Sequence, residues 1–241
     1  MKAVILAAGT ANRLKPLTAE TPKGLLKIAD RSIFEYTIEN LIKNDINDIL
    51  VVTGFYKEKV ESFFKERKDI NVSFVNNPDY STTNNAYSLF LAKEYIQDDF
   101  ILLDSDIVFH PDIIKKLLLN KDRPVLAVNR HKCGVEEIKV IVDDNHKVLN
   151  INKEVEPSSA WGESIGIEVF SKKDKDVLFD ILNSRIKDYE GKNEFYEKSF
   201  EEMIKRGHYF YAVDTTEFPS IEIDYKEDLK NAEMVVAKIF S

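Results

Sequence analysis

Apolar and polar positions follow two rhythms along this chain. Residues 2–6 form a short β-branched run with no polar alternation, the pattern of a strand buried on both faces. Ile33, Phe34, Ile38, Leu41 and Ile42 then recur at helical spacing. Ser32 is placed to cap that helix, Glu35 completes a capping box, and the helix runs to about Asn44. The alternation continues with a strand at 49–53, an amphipathic helix at 57–67 and a strand at 72–75. A helix at 85–96 carries Leu89, Ala92 and Ile96 on one face, and a strand at 100–103 and a helix at 111–119 follow. Strand and helix in this order predict an α/β fold with a doubly wound, mostly parallel sheet.

From Pro124 the rhythm changes. Strand-like runs at 125–128, 139–142, 148–151 and 165–170 are separated by turn signals such as Asp143-Asp144-Asn145. Helical patterns at 173–187 and 195–206, a strand at 209–213 and a last helix at 226–239 close the chain. The expected organisation is one domain over 1–241 with a mixed sheet. Its two halves, 1–123 and 124–241, are expected to build over the same site.

Composition narrows the function classes. Of 241 residues, 44% are apolar, enough for a sizeable core. No apolar segment is long enough to span a bilayer, and the start does not read as a secretory leader. A net charge of −8 disfavours nucleic-acid binding while permitting local capture of a nucleotide. The single cysteine, Cys133, allows no internal disulfide and suits a reducing cytoplasm; it reads as an incidental thiol.

Candidate chemistry begins right after the first strand. Ala7, Ala8 and Gly9 leave backbone N–H groups accessible to a ligand, and Arg13 and Lys23 supply cations nearby. The loop has neither the Gly-Lys-Ser/Thr ending of a Walker A motif nor the glycines of a dinucleotide fingerprint, so a plain surface loop stays open on spacing alone. Asp104-Ser105-Asp106 ends a predicted central strand, where open α/β sheets bind ligands and where carboxylates suit Mg²⁺. An Asp-rich turn explains the same residues. Alternation puts Asp104 and Asp106 on one side if the strand persists that far. Asn84, Asn85 and Ser88 are N-cap residue types, and the asparagine amides also match a pyrimidine edge.

These residues carry a resemblance. Leu6-Ala7-Ala8-Gly9, Arg13-Leu14, Pro16-Leu17-Thr18 and Pro22-Lys23 resemble the signature of nucleoside-triphosphate transferases that make sugar nucleotides and CDP-alcohols, with Ala11 where that family usually has a second glycine. The resemblance implies the nucleoside-diphospho-sugar transferase fold. It implies nucleotide contacts from Leu6, Ala7, Ala8, Gly9, Asn84, Asn85, Ser88 and Asp104, and catalytic roles for Arg13 and Lys23. It also implies Mg²⁺ held by Asp106 and Asp224, with Glu222 as the neighbouring alternative. From the residues alone, Asp224 reads equally as an N-cap of the last helix.

Asn84-Asn85 followed by Tyr87-Ser88-Leu89 is similar to bacterial phosphocholine cytidylyltransferases, which points to CTP. For the acceptor, the resemblance points to Lys153, Glu163 and Tyr196, with Trp161 and Phe195 as further aromatic candidates. Tryptophans that the choline branch carries near Glu136-Glu137-Ile138-Lys139, and again after 162–166, are missing. A primary amine, a phosphorylated amino acid or a polyol phosphate then joins choline as a headgroup. The implied activity is transfer of CMP from CTP to a phosphorylated small alcohol or amine, making a precursor for surface glycan or lipid. The alternatives are a sugar-1-phosphate nucleotidylyltransferase using UTP, dTTP or GTP, and a nucleotide-binding domain without turnover. The expected partners are small molecules, with no nucleic acid and no membrane insertion.

Overall fold

A computed structural model describes residues 1–187 and 189–240. In chain order its strands and helices are β1 (Lys2–Ala7), β2 (Lys27–Ile28), β3 (Arg31–Ser32), α1 (Ile33–Lys43), β4 (Asp48–Thr53), α2 (Lys57–Lys65), β5 (Asn71–Asn76), α3 (Asn85–Leu91), β6 (Phe100–Asp104), β7 (Ile107–Phe109) and α4 (Asp112–Leu118). There follow β8 (Val125–Asn129), β9 (Lys139–Val142), β10 (Val148–Asn152), β11 (Gly162–Phe170), α5 (Lys172–Arg185), α6 (Tyr189–Lys192), α7 (Glu197–Lys205), β12 (Tyr211–Asp214), β13 (Ser220–Glu222) and α8 (Lys226–Phe240).

The nine-stranded sheet is parallel through β6-β1-β4-β5 and mixed beyond β6. Chain order moves outward from β1 through β4 to β5, then returns to β6 on the other side of β1. That reversal leaves a crevice at the carboxyl ends of β1 and β6, where such sheets bind ligands. β11 joins the two kinds of sheet. Val169 pairs with Ile101 on β6 and with Val125 on β8, and Glu163 pairs with Lys139 on β9 and with Asn129 on β8. β6 and β9 therefore share one edge of β11, and β8 takes the other.

Burial on both faces explains the unbroken apolar runs. Val4, Leu50, Leu102 and Leu126 pack under α3, α5 and α7, while Ala3, Ile5, Val51 and Leu103 pack under α1, α2 and α4. The Ser32–Glu35 capping box forms as the sequence implies and starts α1. A third cluster ties Leu14 of the opening loop to Ile28 of the β2–β3 hairpin, Val108 of β7, and Ile223 and Val236 at and in α8.

Three expectations shift. The helix expected at 85–96 is α only to Leu91 and tightens into a 3₁₀ turn at Lys93–Tyr95. β6 stops at Asp104, so a turn separates the two aspartates and strand alternation does not relate them. The strand expected at 209–213 begins at Tyr211, where it pairs with Val125. Among the described residues, no helix is long and apolar enough to cross a membrane.

Candidate active site

The opening loop leaves β1 at the crevice, and its backbone conformation is specific. Ala11 sits at φ 47°, ψ 50°, in the left-handed region, and its carbonyl accepts a hydrogen bond from the buried Thr18 hydroxyl at 2.7 Å. An alanine in that conformation carries strain of about 1–2 kcal/mol. Gly9 has the opposite surroundings: a Cβ added to it meets nothing within 4 Å. The space beside Gly9 belongs to a cleft of about 670 Å³. Lys23 is positioned by its neighbour, because Gly24 lies against Phe34 so closely that a Cβ would sit 2.3 Å from the ring.

The cleft gathers most of the residues singled out from sequence. Leu6, Ala7, Ala8, Gly9, Arg13 and Lys23 line one side. Asn84, Asn85, Ser88, Asp104 and Asp106 line the next, and Lys153, Glu163 and Asp224 complete the wall. Tyr196 is the exception. It is fully buried behind the wall, and its hydroxyl donates to Asp104 Oδ2 at 3.0 Å. Of the three aromatic candidates for the acceptor wall, only Phe195 lines the cleft. Its ring lies 5.0 Å from Lys153 Nζ. Trp161 instead stacks with Arg130 and packs against the core, and Lys139 is fully buried, donating to the carbonyls of Gly134, Val135 and Glu137.

Two acids far apart in sequence meet because two three-residue strands pair. Ile221 opposes Val108 and Glu222 opposes Ile107 in the β7–β13 ladder, and Ile223 N–H continues it by donating to the Asp106 carbonyl at 3.0 Å. Ile223 is fully buried, an anchor of about 2 kcal/mol that fixes Asp224 beside Asp106. Lys23 Nζ bridges the pair, 2.7 Å from Asp106 Oδ2 and 2.8 Å from Asp224 Oδ1, and Arg13 takes Asp224 Oδ2 at 2.9 Å. Asp224 therefore does not cap α8. Asp228 accepts from the Asp224 and Tyr225 N–H groups, and Asp224 spends both oxygens on cations.

Charge dominates this corner. Burial alone would lower the Lys23 ammonium, but Asp106 and Asp224 outweigh it and hold the lysine charged far above the usual range. Burial likewise opposes ionisation of Asp224, and Lys23 and Arg13 overcome it, leaving the carboxyl below its ordinary value. Glu222 is the third acid. Desolvation on its cleft side, with Asp106 and Asp224 beside it, pushes it up to about 8, although the residue keeps an exposed surface. Oxygens of Asp106, Glu222 and Asp224 lie within 4.8 Å of one another, and Asp106 Oδ1 is buried without a partner. An all-carboxylate set with one orphaned oxygen and a lysine held between two acids fits a hard divalent cation.

The wall that carries Asn84, Asn85 and Ser88 is polar and partly pre-paired. Asn77, buried and unremarked in the sequence, donates from Nδ2 to Ser88 Oγ at 3.0 Å and to Thr83 Oγ1 at 3.1 Å. Asn84 accepts from Asn85 N–H as a cap, and Asn85 accepts from Tyr196 N–H at 2.9 Å. Sequence reasoning also missed Glu197. It lines the cleft, only 7% exposed, with Oε2 unpartnered, and burial pushes its carboxyl up to about 7 despite nearby Lys153. Burial raises the Glu168 carboxyl as well, and Asp104 and Glu197 raise it further. An acid in the first turn of a helix reads from sequence as a dipole partner, which is why Glu197 carried no signal.

A doubly wound sheet with a bare-backbone loop, two cations and converging acids at its crevice defines a protein that binds and transfers a phosphorylated nucleotide. The family model described as nucleotidyl transferase matches residues 2–218, and the chain belongs to that family. It is 36% identical over 151 residues to a choline-phosphate cytidylyltransferase from Streptococcus pneumoniae, covering 63% of each chain. It is 28% identical over 211 residues to a CTP:phosphoglutamine cytidylyltransferase from Campylobacter jejuni, covering 76% of this chain and 83% of that one. Its matches span about half the length of several bifunctional relatives, including 52% of an IPC transferase and DIPP synthase from Aquifex aeolicus.

Solved structures agree on the fold. The inositol-1-phosphate CTP transferase from T. maritima matches with a TM-score of 0.84 at 21% identity, covering 99% of this chain and 95% of that one. The CTP:phosphocholine cytidylyltransferase from Streptococcus pneumoniae matches at 0.80 with 26% identity, covering 98% of each.

Proposed function

We propose that this nucleotidyltransferase is a cytidylyltransferase. It transfers CMP from CTP to a phosphorylated small alcohol or amine, with release of pyrophosphate, in the cytoplasm. The observation that carries the reading is Lys23 held between Asp106 and Asp224 at the mouth of a cleft lined by bare backbone. The names of the cytidylyltransferase relatives, and the amides of Asn84 and Asn85 beside Ser88, support CTP over other nucleotides.

The acceptor's phosphate oxygen attacks the α-phosphorus in line. A new P–O bond forms as the bond to the pyrophosphate oxygen breaks. The attacking phosphate is already anionic near neutral pH, so catalysis is positioning and charge neutralisation with no general base. Lys23 turns from the carboxylates to the α-phosphate and draws two anions together. Arg13 neutralises the departing pyrophosphate. Asp106 and Asp224, with Glu222 beside them, would hold Mg²⁺, which when bound supplies positive charge to the triphosphate oxygens. Asp104 is kept in place by the Tyr196 hydroxyl, which makes Tyr196 a support for the wall and not a contact.

The headgroup side favours a cation. Glu197 offers an unpartnered oxygen and Glu163 a second carboxylate, while Lys153, which lies over the Phe195 ring, suits the acceptor phosphate. The test measures pyrophosphate release with CTP, UTP, dTTP and GTP against phosphocholine, phosphoethanolamine, aminoethylphosphonate, inositol phosphate, phosphorylated amino acids and a sugar 1-phosphate. The expected best pair is CTP with an amine-bearing acceptor. Fastest turnover of a sugar 1-phosphate with UTP, dTTP or GTP overturns the reading, and binding of CTP without turnover of any acceptor makes the chain a nucleotide-binding domain.

A further inference from the structure

The loop between β8 and β9 carries a second, chemically different group of ligand atoms. His131, Cys133 and Glu137 each bring one donor atom within 4.8 Å of the others. We propose that these three residues form a metal centre for a thiophilic divalent cation of the zinc class, separate from the carboxylate centre at Asp106.

The donor set decides the metal. A thiolate, an imidazole and a carboxylate suit zinc and its neighbours, whereas the all-oxygen set at Asp106, Glu222 and Asp224 suits magnesium. Zinc bonds of roughly 2.0–2.3 Å put tetrahedral ligands about 3.3–3.8 Å apart. Donor atoms within 4.8 Å of one another need to close by about 1 Å to reach that spacing, and His131, its side chain 42% exposed, is the most exposed of the three residues.

The remaining geometry is that of a prepared site. Cys133 is only 5% exposed, its Sγ in weak contact with the His131 carbonyl at 3.7 Å and hydrogen-bonded to the Glu137 side chain. Glu137 Oε2 is already held by Gly134 N–H at 2.6 Å, which orients the carboxylate and leaves Oε1 for a metal. Glu163 lies 2.9 Å from His131 Nε2, the kind of carboxylate partner that orients metal-bound histidines. Lys139, buried beneath, pins three carbonyls of the loop. Binding displaces the Cys133 thiol proton to solvent, and three protein ligands leave one position open.

The experiment titrates the whole chain with Co²⁺ in excess Mg²⁺, which fills the carboxylate centre. It follows the near-ultraviolet thiolate-to-cobalt absorption. Cys133 is the single cysteine, so that band reports this site alone. The expected result is saturation at one Co²⁺ per chain, reversal by Zn²⁺, and loss of the band in Cys133→Ser. His131→Ala and Glu137→Gln, with unchanged far-ultraviolet dichroism, should each weaken binding by about tenfold or more. Absence of the band, saturation at half an equivalent from thiols of two chains sharing one ion, or unchanged affinity in both variants overturns the site.

Discussion

Two residues of the opening loop lend themselves to measurement. Lys23 touches both acids and, in the proposed reaction, the α-phosphate. Lys23→Ala should lower kcat by about a hundredfold or more while changing CTP affinity far less, the signature of a contact that strengthens in the transition state. Single-turnover kinetics with a CTP titration separates the two quantities, and parallel losses would contradict the role. Ala11 occupies a left-handed conformation without glycine's freedom. Ala11→Gly should therefore stabilise the protein by about 1 kcal/mol in urea unfolding, and an unchanged midpoint would show that the loop relaxes around alanine at no cost. Arg13 and Lys23 stood out through the family resemblance of the stretch that holds them, since their spacing from the small-residue loop left a plain surface loop open. Glu197 and Asn77 were not, since only packing reveals that their polar atoms are shut in.

At the level of elements, the long runs declared themselves and the short ones did not. β1 and β4 follow from unbroken apolar runs, and α1 from its apolar period and its capping box. β7 and β13 hold three residues each, too few for a two-residue period to register, yet their pairing is what brings Asp106 and Asp224 together. β11 bends where Gly166 takes φ 69°, and its register against β8 shifts between Ser164 and Glu168. A Cβ at Gly166 would lie 2.6 Å from Asp104 Oδ2. Gly166→Ala should cost about 1–3 kcal/mol in chemical denaturation and reduce turnover by displacing Asp104. Wild-type stability in that variant would mean the bulge is softer than its neighbours imply.

For the molecule as a whole, the buried acids set a pH dependence. Burial pushes Glu197 to about 7 from an ordinary value of 4.5, and Glu168 moves the same way. Over that window the folded carboxyl keeps a proton that the unfolded chain has released. Stability therefore declines as pH rises from about 4.5 through 7, and the part owed to protonated Glu197 is gone above it. Glu197→Gln should flatten the decline and stabilise the ligand-free protein at pH 8 by on the order of 3 kcal/mol, read by urea melts at pH 5 and pH 8. An identical slope in the variant would place the burden on other groups.

The shared strand has a mechanical corollary. β11 is stitched to β6 and β9 along one edge and to β8 along the other, so the walls that face each other across the crevice are cut from one continuous fabric. A clamshell opening would tear that fabric. In the proposed reaction, admission of reactants and discharge of pyrophosphate then fall to the tethered rims, the stretch around Arg13 and the stretch that carries Glu136, whose carboxylate stands 3.6 Å from that guanidinium like a latch across the gate.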